Sequence, residues 1–574
     1  MYQSSRNALF YAFIVSIGGF IFGLDIMLIS GTFQYTSIEF GLTALEKGNI
    51  AAAPNYGALI ALLVAGFFCE RLGRKKTLQI IAALYVISAV GSALAPSYFW
   101  LFSARLIGGL AFTSLSLASM YIGEIAPANI RGKLVGLNQL NIVLGILAAT
   151  ILNYYFVDIA SSGAQWAADI GLNQQTVWRW MLGIEILPAL IWFALLFLIP
   201  ESPRWLVLNH KQAQAHKVLE KLIPKDKIEH EYQQIVHSLE NTDHSLSYME
   251  QLKLLFGKGI RVALVIGVLM AAIQALSGMN AVLSFMPMIF QQVGGGADAF
   301  VQSIWVSLIG CFFTVIGLVL IDKLGRRVIL LGGLIACTVS MALVTYGFYD
   351  ATYTITADAL SKLATTIDTT TLSSIVGIQY GSDIEFKAAV INLIGQSNFT
   401  LIETDLLFAA TDIQGMLVLI GIVVFVCSYN FSLGPILWIL FSEIFPTKVR
   451  AIAITSSALV ATSLSTRTRS NDLLAEANSD STSSSCARSD EMVWFAINTS
   501  ERLCATVAVV CSSDWFNFVS NTLSSSSNSS REMITCSSFV CISSRSVCNT
   551  STLFSNLFRS DDDLVSSLRA SSNC

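Results

Sequence analysis

Charge is what this sequence has least of. Only 13% of its 574 residues are Asp, Glu, Lys or Arg, against about 25% in soluble domains, which excludes an ordinary water-soluble globule. The net charge of −4 is small for the length, and the basic residues fall in short clusters rather than a stripe, so no nucleic-acid partner is expected. No nucleophile–base set and no Cys/His cluster stands in a polar segment. Neither an enzyme nor a bound metal or cofactor is therefore expected. Cys69, Cys311, Cys337 and Cys427 lie far apart in the apolar body and read as small buried side chains. The apolar run after the short polar stretch Met1 to Ala8 is too long for a cleaved signal and reads as a first transmembrane helix.

What the chain has is apolar length. A bilayer-spanning helix needs about 20 mainly apolar residues. Ten stretches qualify: 9–31, 49–69, 77–97, 99–122, 133–156, 178–199, 260–291, 299–321, 328–349 and 413–441. An eleventh run starts near Ala451 and breaks off near Leu464. The basic clusters follow even-numbered spans: Arg71, Arg74, Lys75 and Lys76 after the second, Arg131 and Lys133 after the fourth, Arg204 to Arg261 after the sixth, Lys323, Arg326 and Arg327 after the eighth, Lys448 and Arg450 after the tenth. Basic loops stay cytoplasmic, which places the N-terminus and segment 200–258 inside the cell. Segment 200–258 reads as short amphipathic cytoplasmic helices. Segment 350–411 is polar, threonine-rich and external; an ordered cap and a flexible insert both fit it.

The two halves echo each other. Glu70-Arg71-Leu72-Gly73-Arg74-Lys75 follows span two, and Asp322-Lys323-Leu324-Gly325-Arg326-Arg327 follows span eight. Glu124 stands three residues before Pro127 and seven before Arg131, as Glu443 stands before Pro446 and Arg450. Matched pairs in the same order and on the same side imply a duplicated six-helix unit, with substrate between the halves and one half rocking against the other. A single basic loop needs no more than topological anchoring. Acid–base motifs repeated in both halves point further, to ion pairs at the membrane–cytoplasm boundary that form in one conformation and release in the other.

These motifs resemble the sugar-porter branch of the major facilitator superfamily, from about Phe20 to Ser457. The resemblance is carried by Glu70 to Lys75, Arg105-Leu106-Ile107-Gly108-Gly109, Tyr121 to Pro127 with Arg131, Pro200-Glu201-Ser202-Pro203-Arg204, Gln274 to Asn280, Asp322 to Arg327, and Gly434-Pro435 with Trp438, Glu443, Pro446 and Arg450. It implies an all-α membrane protein of two six-helix bundles around a central site open to each face in turn. It assigns a cytoplasmic gating network to Glu70, Arg71, Arg74, Glu124, Arg131, Glu201, Arg204, Asp322, Arg326, Arg327, Glu443 and Arg450. It assigns sugar contacts to Gln139 in span five, Gln274 and Asn280 in span seven, and Trp438 in span ten. Amides offer a hydroxyl both donor and acceptor, and an indole offers a flat apolar face. The chain departs from the pattern in several places. Ala275 replaces a second glutamine, Ser284 and Phe285 stand where a tyrosine pair is common, Ile146 replaces a glutamine, and the span-eight asparagine is Gly310.

Asp25 lies in the middle of span one, where an ionised carboxylate costs about 2.5–3.5 kcal/mol on insertion scales. Arg105 in span four is its expected partner. The likeness to proton-coupled bacterial sugar porters at both positions implies symport of a monosaccharide and a proton through Asp25 and Arg105. A facilitative sugar or inositol uniporter is the alternative within the fold, and a nutrient sensor or non-functional truncated product the alternative outside it. A monomer in the cell membrane is expected.

The expected organisation is an N-terminal bundle over 1–199, the cytoplasmic linker 200–258, a second bundle over 259–464 holding insert 350–411, and a separate tail over 465–574. From Thr466 to Cys574 there is no Gly, Pro, Lys, His, Tyr or Gln, and serine dominates. Spans eleven and twelve should lie here, yet no window is apolar enough. A reading frame lost near 460–465, leaving a disordered tail and an incomplete second bundle, would explain this; a real Ser/Cys-rich appendage is the other reading.

Overall fold

The computed structural model describes residues 2–126, 131–223, 228–240, 260–290, 299–349 and 414–444. It also describes 352–356, 371–380, 383–395 and isolated positions up to 412. The tail beyond 444, with the expected loss of spans eleven and twelve, lies outside the described residues. Among the described residues nine helices are long and apolar enough to cross a membrane, and a tenth if the bent pair Leu45–Leu62 and Val64–Leu72 forms one span. They coincide with the ten apolar stretches of the sequence.

The first half comprises α1 (Tyr2–Phe40), α2 (Ala44–Leu72), α3 (Arg74–Ala93), α4 (Tyr98–Ala111) with α5 (Ser114–Ile125), α6 (Arg131–Ser161), the short α7 (Gln165–Asp169), and α8 (Val177–Gly183) with α9 (Ile186–Leu195). Span one outruns its apolar core at both ends. Thr32, Thr36 and Ser37 donate their hydroxyls to carbonyls one turn back, so these polar side chains do not interrupt the helix. Span four is a helix pair with a tightened turn at Phe112–Thr113, where Phe112 N–H donates to Gly109 O at 3.1 Å. Glycines let the spans meet backbone to backbone. A Cβ on Gly23 would collide with the Ile142 carbonyl, and one on Gly145 with the Phe20 carbonyl, locking spans one and five. Gly57 and Gly109 do the same for spans two and four.

The segment after span six forms the short helices α10 (Pro203–Leu208), α11 (Gln212–Leu222) and α12 (Ile228–Glu240). Ala215, Val218, Leu219 and Leu222 turn inward into the core of the first bundle. Asn7 Nδ2 donates to Lys221 O at 2.9 Å, tying the start of span one to α11.

The second half comprises α13 (Arg261–Leu276) with α14 (Met279–Phe290), α15 (Ala299–Leu324), α16 (Arg326–Tyr349), and α18 (Gly415–Phe431) with α19 (Leu433–Ile444). Span seven breaks at Gly278, whose φ of +81° lies in the left-handed region that glycine tolerates. The duplication is visible in the backbone: Gly73 and Gly325, the glycines of the repeated loops, have φ of +87° and +80°. Gly317 of span eight abuts the Phe431 carbonyl of span ten, repeating the contact between spans two and four.

Between α16 and α18 lies a small unit apart from the spans. Strand β1 (Thr352–Thr354) pairs antiparallel with β2 (Gln379–Tyr380) and β3 (Thr411–Asp412). Helix α17 (Asp383–Ile394) packs on it through Phe386, stacked on Tyr353 at 5.9 Å and edge-on to Tyr380 at 5.7 Å. With Leu372, Ile375 and Val390 these form a core of their own. The described part of the insert is thus ordered.

Candidate functional site

Three charged side chains meet inside the first bundle. Arg105 Nη1 donates to Asp25 Oδ1 as an ion pair, with both side chains 3% exposed. Glu185, at the break between α8 and α9 and 4% exposed, lies near Asp25 and Arg105. Sequence reasoning found the pair and missed Glu185. The available signal was an acid in the middle of an apolar span, the same argument that singled out Asp25. Two carboxyls facing one guanidinium carry a net charge of −1 if both ionise. Such a charge in an apolar interior is costly, and one proton shared by the carboxyls removes it. Among the described residues, Asp25 Oδ2 and Arg105 Nε have no hydrogen-bond partner. Tyr85, 1% exposed, lies close enough to feel both carboxyls, and its hydroxyl is 3.4 Å from Ser114 Oγ.

At the loop between spans two and three, Arg74 grips Glu124 with two charge-assisted bonds, Nη2 to Oε1 at 2.9 Å and Nε to Oε2 at 3.1 Å. Glu201 accepts from the backbone N–H groups of Arg74 at 2.9 Å, Lys75 at 3.2 Å and Ser202 at 2.9 Å. Its carboxylate thereby sits on the N-terminus of α3, where the helix dipole favours an anion. Burial nonetheless pushes the Glu201 carboxyl above its ordinary range, the N–H donors opposing that rise. Burial lowers Arg204, which feels Glu124 and Arg74. Tyr121 donates to Pro200 O at 2.7 Å and Trp205 Nε1 to Glu70 O at 2.8 Å, so the linker is held on the bundle. The structure thus brings together Arg74, Glu124, Glu201 and Arg204. Glu70 and Arg71 are exposed, and the Arg71 guanidinium lies over the Phe67 ring at 4.4 Å instead. Arg326 and Arg327 open α16, exposed at the equivalent place in the second half. The side chains of Arg131, Asp322 and Glu443, and all of Arg450, lie outside the described residues.

The halves meet at mid-depth around Gly434. A Cβ placed there would stand 2.8 Å from Gln139 Nε2 and 3.6 Å from Tyr429 Cε1. The Gln274 side chain lies near the Tyr429 hydroxyl. Gln139, from the first half, and Gln274, from the second, therefore face one polar spot through Tyr429, which sequence reasoning missed. Asn280 is exposed, just past the Gly278 break, and is not part of this cluster. Trp438 lies in α19; its side chain is outside the described residues. Towards the far end of span one, Phe33 stacks on Phe285 of span seven at 5.8 Å. One of the positions where the sugar porters carry a tyrosine thus closes an apolar contact across the two halves.

This architecture is that of a transporter built from repeated halves. The family model described as "Sugar (and other) transporter" matches residues 11–367 and 388–465, and the chain belongs to that family of sugar porters within the major facilitator superfamily. The match leaves out 368–387, inside the unit between α16 and α18, and stops at 465. The chain is 33% identical over 442 residues to the arabinose-proton symporter of Bacillus subtilis, covering 76% of this chain and 79% of that protein. It is 30% identical over 472 residues to the D-xylose-proton symporter of Escherichia coli, covering 77% and 80%. Among solved structures, the xylose transporter XylE of E. coli in a partially occluded inward-open conformation aligns with a TM-score of 0.60 at 25% identity, covering 87% of this chain and 97% of that one. The proton:xylose symporter XylE bound to 6-bromo-6-deoxy-D-glucose aligns with a TM-score of 0.62 at 26% identity, covering 88% and 95%. The chain is a multi-pass membrane transporter and not an enzyme.

Proposed function

We propose that this chain carries a monosaccharide into the cell together with a proton, as a monomer in the cell membrane with its N-terminus in the cytoplasm. The observation that carries the reading is the buried group Asp25, Arg105 and Glu185, two acids against one guanidinium, in a fold whose similar proteins are named sugar-proton symporters. A proton taken from outside neutralises the second carboxyl and weakens the hold of Arg105 on Asp25. Sugar entering between Gln139 and the Gln274–Tyr429 pair, with Asn280 and Trp438 as further contacts, lets the halves close above it and open below. The Arg74–Glu124 grip and the Glu201 cap on α3 hold the cytoplasmic ends of the first bundle to the linker, so those ends move as one body. The remaining members of the network carry the same role into the second half. Proton release to the cytoplasm restores the ion pair. The membrane potential adds about 2.3 kcal/mol per charge per 100 mV to the inward step.

The test is uptake of radiolabelled pentoses, hexoses and inositol by cells expressing the full chain, at two external pH values, with and without a protonophore. Accumulation against a gradient that collapses with the protonophore is expected. Uptake unchanged when the proton gradient is removed would mean a uniporter.

A further inference from the structure

Span three carries a buried polar stripe. Tyr85, Ser88 and Ser92 are 1%, 4% and 3% exposed, and their spacing puts them on one face over two helical turns. The neighbours of Ser92 fix where that face points. A Cβ built on Gly91 would stand 3.1 Å from the Ala104 Cβ of span four, and one built on Gly183 of span six would stand 3.5 Å from the Ala93 Cβ. Successive helical residues turn by about 100°, so Ser92, between Gly91 and Ala93, looks into the wedge between spans four and six. Ser88 Oγ donates to Ala104 O at 2.9 Å, and the Tyr85 ring meets that of Trp192 at 6.0 Å. Ala104 precedes Arg105, and Gly183 and Trp192 bracket Glu185, so the stripe borders the buried charge group. Among the described residues the Ser92 hydroxyl has no hydrogen-bond partner, and neither have Asp25 Oδ2 and Arg105 Nε in the group it borders. Buried hydroxyls are nearly always bonded, and internal water is what commonly meets polar groups left over in an interior. The stripe also ends near solvent. Arg179 Nη1 donates to the carbonyls of Ala93 at 3.3 Å and Ala95 at 2.8 Å, just past Ser92, and its side chain is 29% exposed in its ion pair with Glu39.

We propose that Ser92 positions water in a proton-entry route between spans three, four and six, running from the Arg179 end of span three to the group of Asp25, Arg105 and Glu185. The inference rests on the proton-coupled reading and names the way in. A hydrated proton on this route gives its proton to a carboxylate, which becomes a carboxylic acid, and a neutral water is left behind. A hydroxyl both donates and accepts, so Ser92 holds that water without gaining or losing charge. It is a positioning residue: it sets how fast the group is protonated, while the group itself sets how strongly uptake is driven.

Proteoliposomes of the full chain separate rate from driving force. They carry an inside-negative potential, a trapped pH dye and an alkaline external medium, in which proton arrival limits the rate. Ser92→Val and Ser92→Thr match in bulk and differ in one hydroxyl. S92V is expected to slow net sugar uptake and the accompanying proton influx together, by about three- to tenfold, the share of one neutral hydrogen bond. It should still reach the wild-type accumulation ratio in the end. Exchange of labelled internal for unlabelled external sugar, in which the carrier keeps its proton, should be unchanged, and S92T should restore net uptake. Should S92V fail to reach the bilayer, Ser92→Ala reads the same contrast against S92T. Net uptake equal in S92V and S92T, or exchange slowed as much as net uptake in S92V, overturns the inference and leaves Ser92 a helix-packing residue. Sugar flux in wild type that moves no protons overturns the proton-coupled reading and the inference with it.

Discussion

Asp25→Asn separates the two jobs proposed for the buried charge group. The substitution keeps the side chain's shape and removes its charge. Arg105 is not stranded by it, because Glu185 lies near the guanidinium. The group becomes one acid against one base, neutral without any proton to carry. Coupling should then fail while the fold and the sugar pathway survive. The size of the effect follows from the field. One proton per sugar crossing about 100 mV supplies about 2.3 kcal/mol, which at about 1.36 kcal/mol per decade holds sugar about 50-fold higher inside. In proteoliposomes with an imposed potential, wild type should approach that ratio and D25N should stop near unity. Exchange of labelled internal for unlabelled external sugar should persist in D25N. Arg105→Ala is the contrast: it leaves two buried carboxyls with no cation. Removing one partner of a buried pair costs about 3–5 kcal/mol, so its thermal unfolding in detergent should come well below that of D25N. Accumulation by D25N equal to wild type would refute the reasoning. So would equal destabilisation in the two variants, since the argument requires Glu185 to shield one and not the other.

The repeated glycines give a graded prediction. Gly73 and Gly325 share a positive φ, so alanine at either is strained, by about 1–3 kcal/mol. Only at Gly73 would the new Cβ also run into the Glu201 carboxylate, so Gly73→Ala should lower the melting temperature more than Gly325→Ala, and the reverse order would contradict the geometry. Glu201 gives a pH dependence. Its carboxyl is raised in the fold, chiefly by burial, so the folded protein binds that proton more tightly than the unfolded chain. The resulting stability is present below the ordinary value of 4.5 and is lost as pH rises through the folded value. Measured against Glu201→Gln, the wild-type melting temperature should fall across that window; a constant difference would mean no such shift.

Spans and repeat were legible because a bilayer imposes a length and a charge asymmetry that a single sequence displays. The matched loops around Gly73 and Gly325 were legible as a repeat, and the structure adds that both glycines have a positive φ. What escaped were contacts that depend on which face a helix turns to its neighbour. Glu185 sits in an apolar run and reveals its role only when span six is seen packed beside Asp25. The extension of span one to Phe40 escaped because Thr32, Thr36 and Ser37 look like loop residues until their hydroxyls are seen bonded to their own helix. The order in the insert was open for the same reason. Tyr353, Tyr380 and Phe386 are far apart in sequence, and nothing in a threonine-rich stretch announces that they stack.

Among the described residues the chemistry is divided between the halves. The buried ionisable group lies wholly in the first half, on spans one, four and six. Gln274 and Tyr429 lie in the second, on spans seven and ten. If, as proposed, the proton is held in one body and part of the sugar in the other, the carrier needs a joint that senses both, and span five is placed to be that joint. One part of it locks to span one through Gly145 and the Phe20 carbonyl, five residues before Asp25. Another part presents Gln139 to Gly434 and Tyr429. A change in the hold of Arg105 on Asp25 that tilts span one must carry span five with it, because their backbones are in contact and interiors this close do not deform continuously. Gln139 then moves relative to span ten, which alters the sugar site directly. Under this arrangement a bulky residue at Gly145 should uncouple proton from sugar while every polar contact to each remains in place.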